Sequence, residues 1–187
     1  MVCKSFTQSV PFNIPIQGGL QDGMSITVCG RVWPNADTLE VNLQYGSDVI
    51  LHFNPRYEGG SGFVVHNTNQ KGVWGKEERE YKTPVPRGQV FALQILVTQE
   101  SYKINVNGKP FSEYKHRMPF SWVDHIYVFG KVELNLVAFQ YLADTCVGED
   151  SMSVEAHVNV LQSAYRKTHP DISTVQDHMA RTFSWRR

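Results

Sequence analysis

The sequence predicts an all-β, two-sheet antiparallel sandwich over residues 10–140, followed by an extension of different character. Two observations carry this. Up to residue 140, apolar and polar residues alternate in runs of strand length, and Pro, Gly, Asn and Asp clusters cut those runs apart without any helical period. Beyond residue 141 the punctuation thins and apolar residues return at helical spacing.

Taken in order, residues 1–9 form an N-terminal segment, and the cluster Gln17-Gly18-Gly19-Leu20-Gln21-Asp22-Gly23 marks the first turn. A half-buried strand follows over 24–30, where Met24, Ile26 and Val28 alternate with polar partners. Pro34-Asn35-Ala36-Asp37 breaks the chain before a strand over 39–45, whose Glu40, Asn42 and Gln44 share the face opposite Leu39, Val41 and Leu43. Two strands of a hairpin lie in the run 51–80, on either side of Gly59-Gly60-Ser61-Gly62. The pairs Thr83-Pro84 and Val85-Pro86 with Arg87-Gly88 mark a loop. Strands over 91–97 and 102–106 lead to the hairpin signal Asn107-Gly108, and two more are expected over 122–129 and 132–139.

The extension, residues 141–187, carries one apolar stripe at Val154, Val158, Leu161 and Tyr165 and a second at Ile172, Val175, Met179 and Phe183. His169-Pro170 separates them, and Ser173 with Gln176 has the form of a capping box. The pattern fits either one or two short helices docked on the sandwich or a polar linker, since residues 148–153 are linker-like.

Composition narrows the function classes. Lys plus Arg equals Asp plus Glu at 18 each, so no overall field draws the chain to nucleic acid, and partners must be chosen by local chemistry. Cys3, Cys29 and Cys146 are far apart, without a CxxC or a His cluster nearby. This argues against a disulfide framework and a structural zinc site, and for free thiols in a reducing compartment. The first residues have no apolar core of a signal peptide, and no run approaches the ~18 apolar residues of a membrane span. The expectation is a cytoplasmic protein that requires no cofactor and no metal and inserts stably into no membrane.

The run 51–80 concentrates the chemistry. Strand parity sends Val49, Leu51 and Phe53 to one face and His52, Asn54 and Arg56 to the other. If the hairpin pairs across its Gly-rich turn, Asn67 arrives beside that row. Glu77 and Arg79 then share a face, with Glu78 on the opposite one, and Gly75 is expected to let the backbone clear the Trp74 indole. A carboxylate flanked by Arg56 and Arg79 is locked as a flat plate of donors and acceptors. Such a plate beside an exposed indole suits a rigid polyhydroxylated ligand, which has hydroxyls on one side and C–H groups on the other. Singly, each of these residues more often has a bland role: a core tryptophan, a surface histidine, a solvated ion pair. Together they point to a site.

His52-Phe53-Asn54-Pro55-Arg56, then Val64-Val65-His66-Asn67, then Trp74-Gly75-Lys76-Glu77-Glu78-Arg79, in this order and spacing, resemble the carbohydrate-recognition signature of the galectins. The resemblance extends over roughly 10–140, through Val10-Pro11-Phe12, Ile16-Gln17-Gly18-Gly19-Leu20, Val106-Asn107-Gly108, His116-Arg117 and Val137-Ala138-Phe139-Gln140. It is strongest to the N-terminal domain of tandem-repeat members. It implies a jelly-roll lectin that binds β-galactosides of lactose or N-acetyllactosamine type on a concave face. By the same resemblance, His52, Asn54 and Arg56 take the galactose O4 and ring-oxygen region. Asn67 and Glu77 take O6 and the neighbouring sugar, Trp74 stacks on galactose, and Arg79 orients Glu77. Asn42 matches a position where some members contact extended glycans.

The implied partners are β-galactoside-bearing glycans and glycoproteins, possible cross-linking through an oligomer or a second domain beyond this chain, and export without a signal peptide to the extracellular space. The alternative is a protein-interaction module of the same fold acting through its tail or a sheet edge. A glycosidase is disfavoured, because Glu77 and Glu78 are strand neighbours facing opposite ways and cannot flank one bond.

Overall fold

The computed structural model describes residues 4–8, 10–58 and 62–141. The two stripes at helical spacing, Cys3, Cys146 and the turn residues 59–61 lie outside the described residues. The strands are β1 (Lys4–Gln8), β2 (Phe12–Pro15), β3 (Met24–Val32), β4 (Leu39–Tyr45), β5 (Asp48–Arg56), β6 (Phe63–Gln70), β7 (Val73–Trp74), β8 (Glu78–Glu80), β9 (Val90–Val97), β10 (Ser101–Val106), β11 (Lys109–Lys115), β12 (His125–Gly130) and β13 (Val132–Tyr141).

They form two antiparallel sheets. One runs β1-β13-β3-β9-β10-β11; the other runs β2-β12-β4-β5-β6-β7, and β8 also pairs with β6. The inward faces follow the parity of the sequence. Val41, Leu43, Leu51, Phe53 and Val64 from the second sheet meet Ile26, Val28, Leu93, Ile95 and Ile104 from the first in one buried core. Burying these side chains drives the two sheets together, at about 25 cal/mol per Å² of apolar surface removed from water.

Several expectations shift. Pairing begins ahead of residue 10, because β1 lies along β13. The strand over 24–30 is not half-buried: Ser25, Thr27 and Cys29 are buried as well, being short side chains in a strand flanked on both sides by β13 and β9. Burial pushes the free Cys29 thiol up to about 12.

The strand expected over 122–129 starts only at His125. Pro119 opens a 3-10 turn, Phe120–Trp122, that turns Trp122 outward against Tyr45 at 5.7 Å. The Asn107-Gly108 signal does make a tight hairpin, with φ of 53° and 74° at the two residues. The residues after it form β11, antiparallel to β10.

Candidate functional site

The outward face of the second sheet carries the polar residues of the run 51–80. The register pairs Asn42 with His52 and His52 with Asn67, while Tyr127 on β12 pairs with Asn42. A polar row therefore crosses the sheet. An irregularity in the β5–β6 pairing between Val49 and His52 puts Ile50 in the core beside Leu51, in place of the Val49 expected there, and alternation then resumes with His52 outward and Phe53 inward.

Each group in the row is held by its neighbours. Asn42 Nδ2 donates to a Glu40 carboxylate oxygen at 3.4 Å, so its Oδ1 must be the atom 2.6 Å from His52 Nδ1. That contact requires the proton on Nδ1 and leaves Nε2 as the acceptor. Burial pushes the His52 imidazole down to about 4, which keeps the ring neutral at pH 7. Asn54 spends both Nδ2 hydrogens, on Thr38 Oγ1 at 2.5 Å and the Leu39 carbonyl at 2.8 Å. Its Oδ1 accepts from Arg56 Nε at 2.7 Å.

Arg56 Nη2 lies 3.2 Å from Glu77 Oε1, while Arg79 reaches the other oxygen with Nε at 2.7 Å and Nη2 at 2.5 Å. The carboxylate is clamped between two guanidiniums. The Arg79 hydrogen bond, with the Arg56 charge beside it, holds the Glu77 carboxyl below the usual range. Both guanidiniums lie over the Phe63 ring, at 5.9 Å for Arg56 and 5.2 Å for Arg79.

Trp74 sits at the edge of the row, on β7. It is 48% exposed, and its indole is 4.9 Å from the His52 ring. Asn67 is buried beside it: Oδ1 accepts from the Thr68 N–H at 2.8 Å and from Arg117 Nη1 at 3.1 Å, and Nδ2 donates to the Gly75 carbonyl at 3.0 Å. A Cβ at Gly75 would lie 2.9 Å from Arg117 Nη1 and 3.2 Å from Asn67 Oδ1. The glycine thus leaves room for the Asn67–Arg117 contact. Glu78 points away from Glu77 and pairs with Arg117 Nη2 at 2.6 Å.

The structure therefore gathers His52, Asn54, Arg56, Asn67, Trp74, Glu77 and Arg79 on one surface, with Asn42 buried beside His52. Sequence reasoning missed Thr38, Phe63 and the roles of Arg117 and Glu78. It also passed over Tyr127 and Phe129, whose rings stack at 6.3 Å with 9° between planes. Their i, i+2 spacing was the available signal. Among the described residues, no cluster of three or more His, Cys, Asp or Glu side chains is placed to hold a metal ion.

A sequence profile described as galactoside-binding lectin matches residues 11–139. Galectin-4 of Rattus norvegicus is 42% identical over 139 residues, 72% of this chain and 43% of that protein. Galectin-3 of Mus musculus is 40% identical over 111 residues, 59% of this chain and 42% of the relative. The chain thus spans less than half the length of these curated relatives. Among solved structures, the Caenorhabditis elegans galectin LEC-6 superposes with a TM-score of 0.68 at 27% identity, over 73% of this chain and 94% of that one. Sheep galectin-11 in complex with glycerol gives 0.65 at 27% identity, over 72% and 100%.

Proposed function

The chain belongs to the galectins, a family of galactoside-binding lectins, and from that premise we propose that its second sheet binds β-galactosides of lactose or N-acetyllactosamine type without chemical turnover. The observation that carries the reading is the fixed polar plate: a neutral His52, an Asn54 amide with both hydrogens spent, and a Glu77 carboxylate clamped by Arg56 and Arg79, all beside an exposed Trp74. Because these groups are already held by one another, little side-chain freedom is lost when a sugar arrives.

In this reading His52 accepts at Nε2 from a galactose hydroxyl in the O4 region, where Asn54 and Arg56 also reach. Asn67 and Glu77 take O6 and the neighbouring sugar, Trp74 covers the C–H face of galactose, and Arg79 keeps Glu77 in plane. Asn42 acts from beside the His52 ring, through its contact with Nδ1. A glycan extended toward β4 and β12 runs over Asn42 and along Tyr127 and Phe129. A glycosidase would need a protonated acid across the bond from a second carboxylate. Glu77 is held ionised and Glu78 points to Arg117, which supports binding without hydrolysis.

Synthesis in the cytosol with export that needs no signal peptide fits the family. Among the described residues no helix is long and apolar enough to cross a membrane. Cross-linking of glycans needs a second site, from self-association or another recognition domain.

A galactoside column tests the reading. The chain should be retained and released by lactose but not by mannose or sucrose, and Trp74→Ala should abolish retention. Release by all three sugars alike, or retention that survives Trp74→Ala combined with Arg56→Ala, would refute it.

A further inference from the structure

Arg117 lies in the connection between β11 of the first sheet and β12 of the second. It follows β11, whose partner is β10, and its guanidinium reaches Asn67 on the sugar face. Its stem and plane are set from below: the guanidinium lies 4.9 Å over the Tyr114 ring. Tyr114 is fixed in turn, its hydroxyl 2.7 Å from Thr68 Oγ1. Since Thr68 donates its own hydrogen to the Ile50 carbonyl at 3.0 Å, Tyr114 is the donor in that pair. From above, Glu78 takes Arg117 Nη2 at 2.6 Å. The guanidinium is thus held on two sides, and its Nη1 faces Asn67 Oδ1.

We propose that Arg117 is a positioning residue of the sugar site, fixing the Asn67 amide so that Asn67 presents a single N–H to the ligand and no acceptor. The proposal rests on the β-galactoside reading. Two donors converge on Oδ1, the Thr68 N–H and Arg117 Nη1, and neither can accept. Flipping the amide would set its NH₂ against a backbone N–H and a cation, an arrangement with no hydrogen bond and direct repulsion. One Nδ2 hydrogen already goes to the Gly75 carbonyl, so one remains. Asn67 then recognises an oxygen that accepts, and a hydroxyl bound there must send its own hydrogen elsewhere. Arg117 touches Asn67, not the ligand; its effect on binding passes through that amide.

The test compares lactose with lactose lacking the galactose 6-hydroxyl, by calorimetric titration of the whole chain. Arg117→Met keeps the stem over Tyr114 and removes the donors, and the Glu78 left behind is 52% exposed, so it stays solvated. Lactose affinity should fall about 10-fold, the loss expected when one hydrogen bond from a charged group stops orienting its partner. Affinity for the deoxy sugar should barely move. In an Asn67→Ala background the same Arg117→Met change should shrink to less than about 2-fold, and Arg117→Lys should recover part of the loss.

Glu78→Gln, which weakens the anchor without removing the guanidinium, should show the same selective pattern at smaller size. It serves if Arg117→Met does not fold, as judged by its thermal unfolding transition. An equal loss for both sugars, no loss in a folded variant, or an undiminished loss without Asn67 overturns the proposal. Failure of the unaltered chain to bind lactose sinks the sugar reading and this one with it; lactose binding indifferent to Arg117 and Glu78 sinks this one alone.

Discussion

Acid should destabilise this domain through His52 before it touches the carboxylates. In the folded chain burial holds the imidazole down to about 4, against an ordinary value of 6.5. Below pH 6.5 the unfolded chain takes up a proton that the folded chain refuses. The contribution of a neutral, buried His52 is therefore fully present above pH 6.5, declines as pH falls, and is gone near pH 4. The slope approaches about 1.4 kcal/mol per pH unit inside that window, and the whole window is worth roughly 3 kcal/mol. That is a large share of the 5–15 kcal/mol that typically holds a domain together.

His66 acts in the same direction, because burial among Phe53, Phe111 and Tyr114 also lowers its pKa. Glu77 follows at lower pH: its carboxyl is held down by Arg79 and Arg56, so its contribution is present above the ordinary carboxylate value and lost as pH falls through the lowered one. Urea unfolding of the native chain and of His52→Gln at pH 7.5, 6.5, 5.5 and 4.5 separates these terms. The native chain should lose stability steeply from pH 6.5 downward, and His52→Gln should lose roughly 2–3 kcal/mol less over the same interval. Parallel profiles for the two proteins would refute the reasoning, as would an imidazole resonance of His52 that titrates near 6.5 by NMR.

Three further outcomes follow from the same geometry. Lactose affinity should stay nearly flat from pH 7.5 to about 5, because His52 remains neutral and Glu77 ionised across that range; a binding midpoint near pH 6.5 would contradict this. Gly75→Ala should push the Arg117 guanidinium off Asn67 and weaken lactose binding by about 1 kcal/mol, with little change in unfolding midpoint, and unchanged affinity by titration would count against the crowding at that Cβ. The Cys29 thiol, buried and pushed up to about 12, should resist alkylation by N-ethylmaleimide in the folded chain and react on unfolding; mass spectrometry showing modified Cys29 in folded protein would refute its burial.

Much of the fold was legible because strand parity is a local property. Alternation in 39–45 and 51–56 already says that Val41, Leu43, Leu51 and Phe53 share a core while Asn42, His52, Asn54 and Arg56 do not. Asn107-Gly108 announces its hairpin because few residue pairs tolerate left-handed backbone at both turn positions. The strand expected from residue 122 fails for a comparable reason. Trp122, Val123 and Ile126 are apolar at spacings that suit a strand, but Pro119 and the contact with Tyr45 favour a turn, and nothing short-range arbitrates between them.

The candidate site divides along the same line. The sequence by itself determined the outward row of His52, Asn54 and Arg56 and the opposed directions of Glu77 and Glu78. Only the tertiary structure decided what holds them. It buries His52 deeply enough to keep it neutral, orients Asn42 through Glu40, and brings Arg117 from the connection after β11 onto Asn67, 50 residues away in the chain. It also makes Gly75 a requirement of that contact. The physical reason is range. Parity is set by the two-residue repeat of one strand, whereas burial, tautomer and amide orientation depend on neighbours that only the packing of two sheets puts within hydrogen-bond distance.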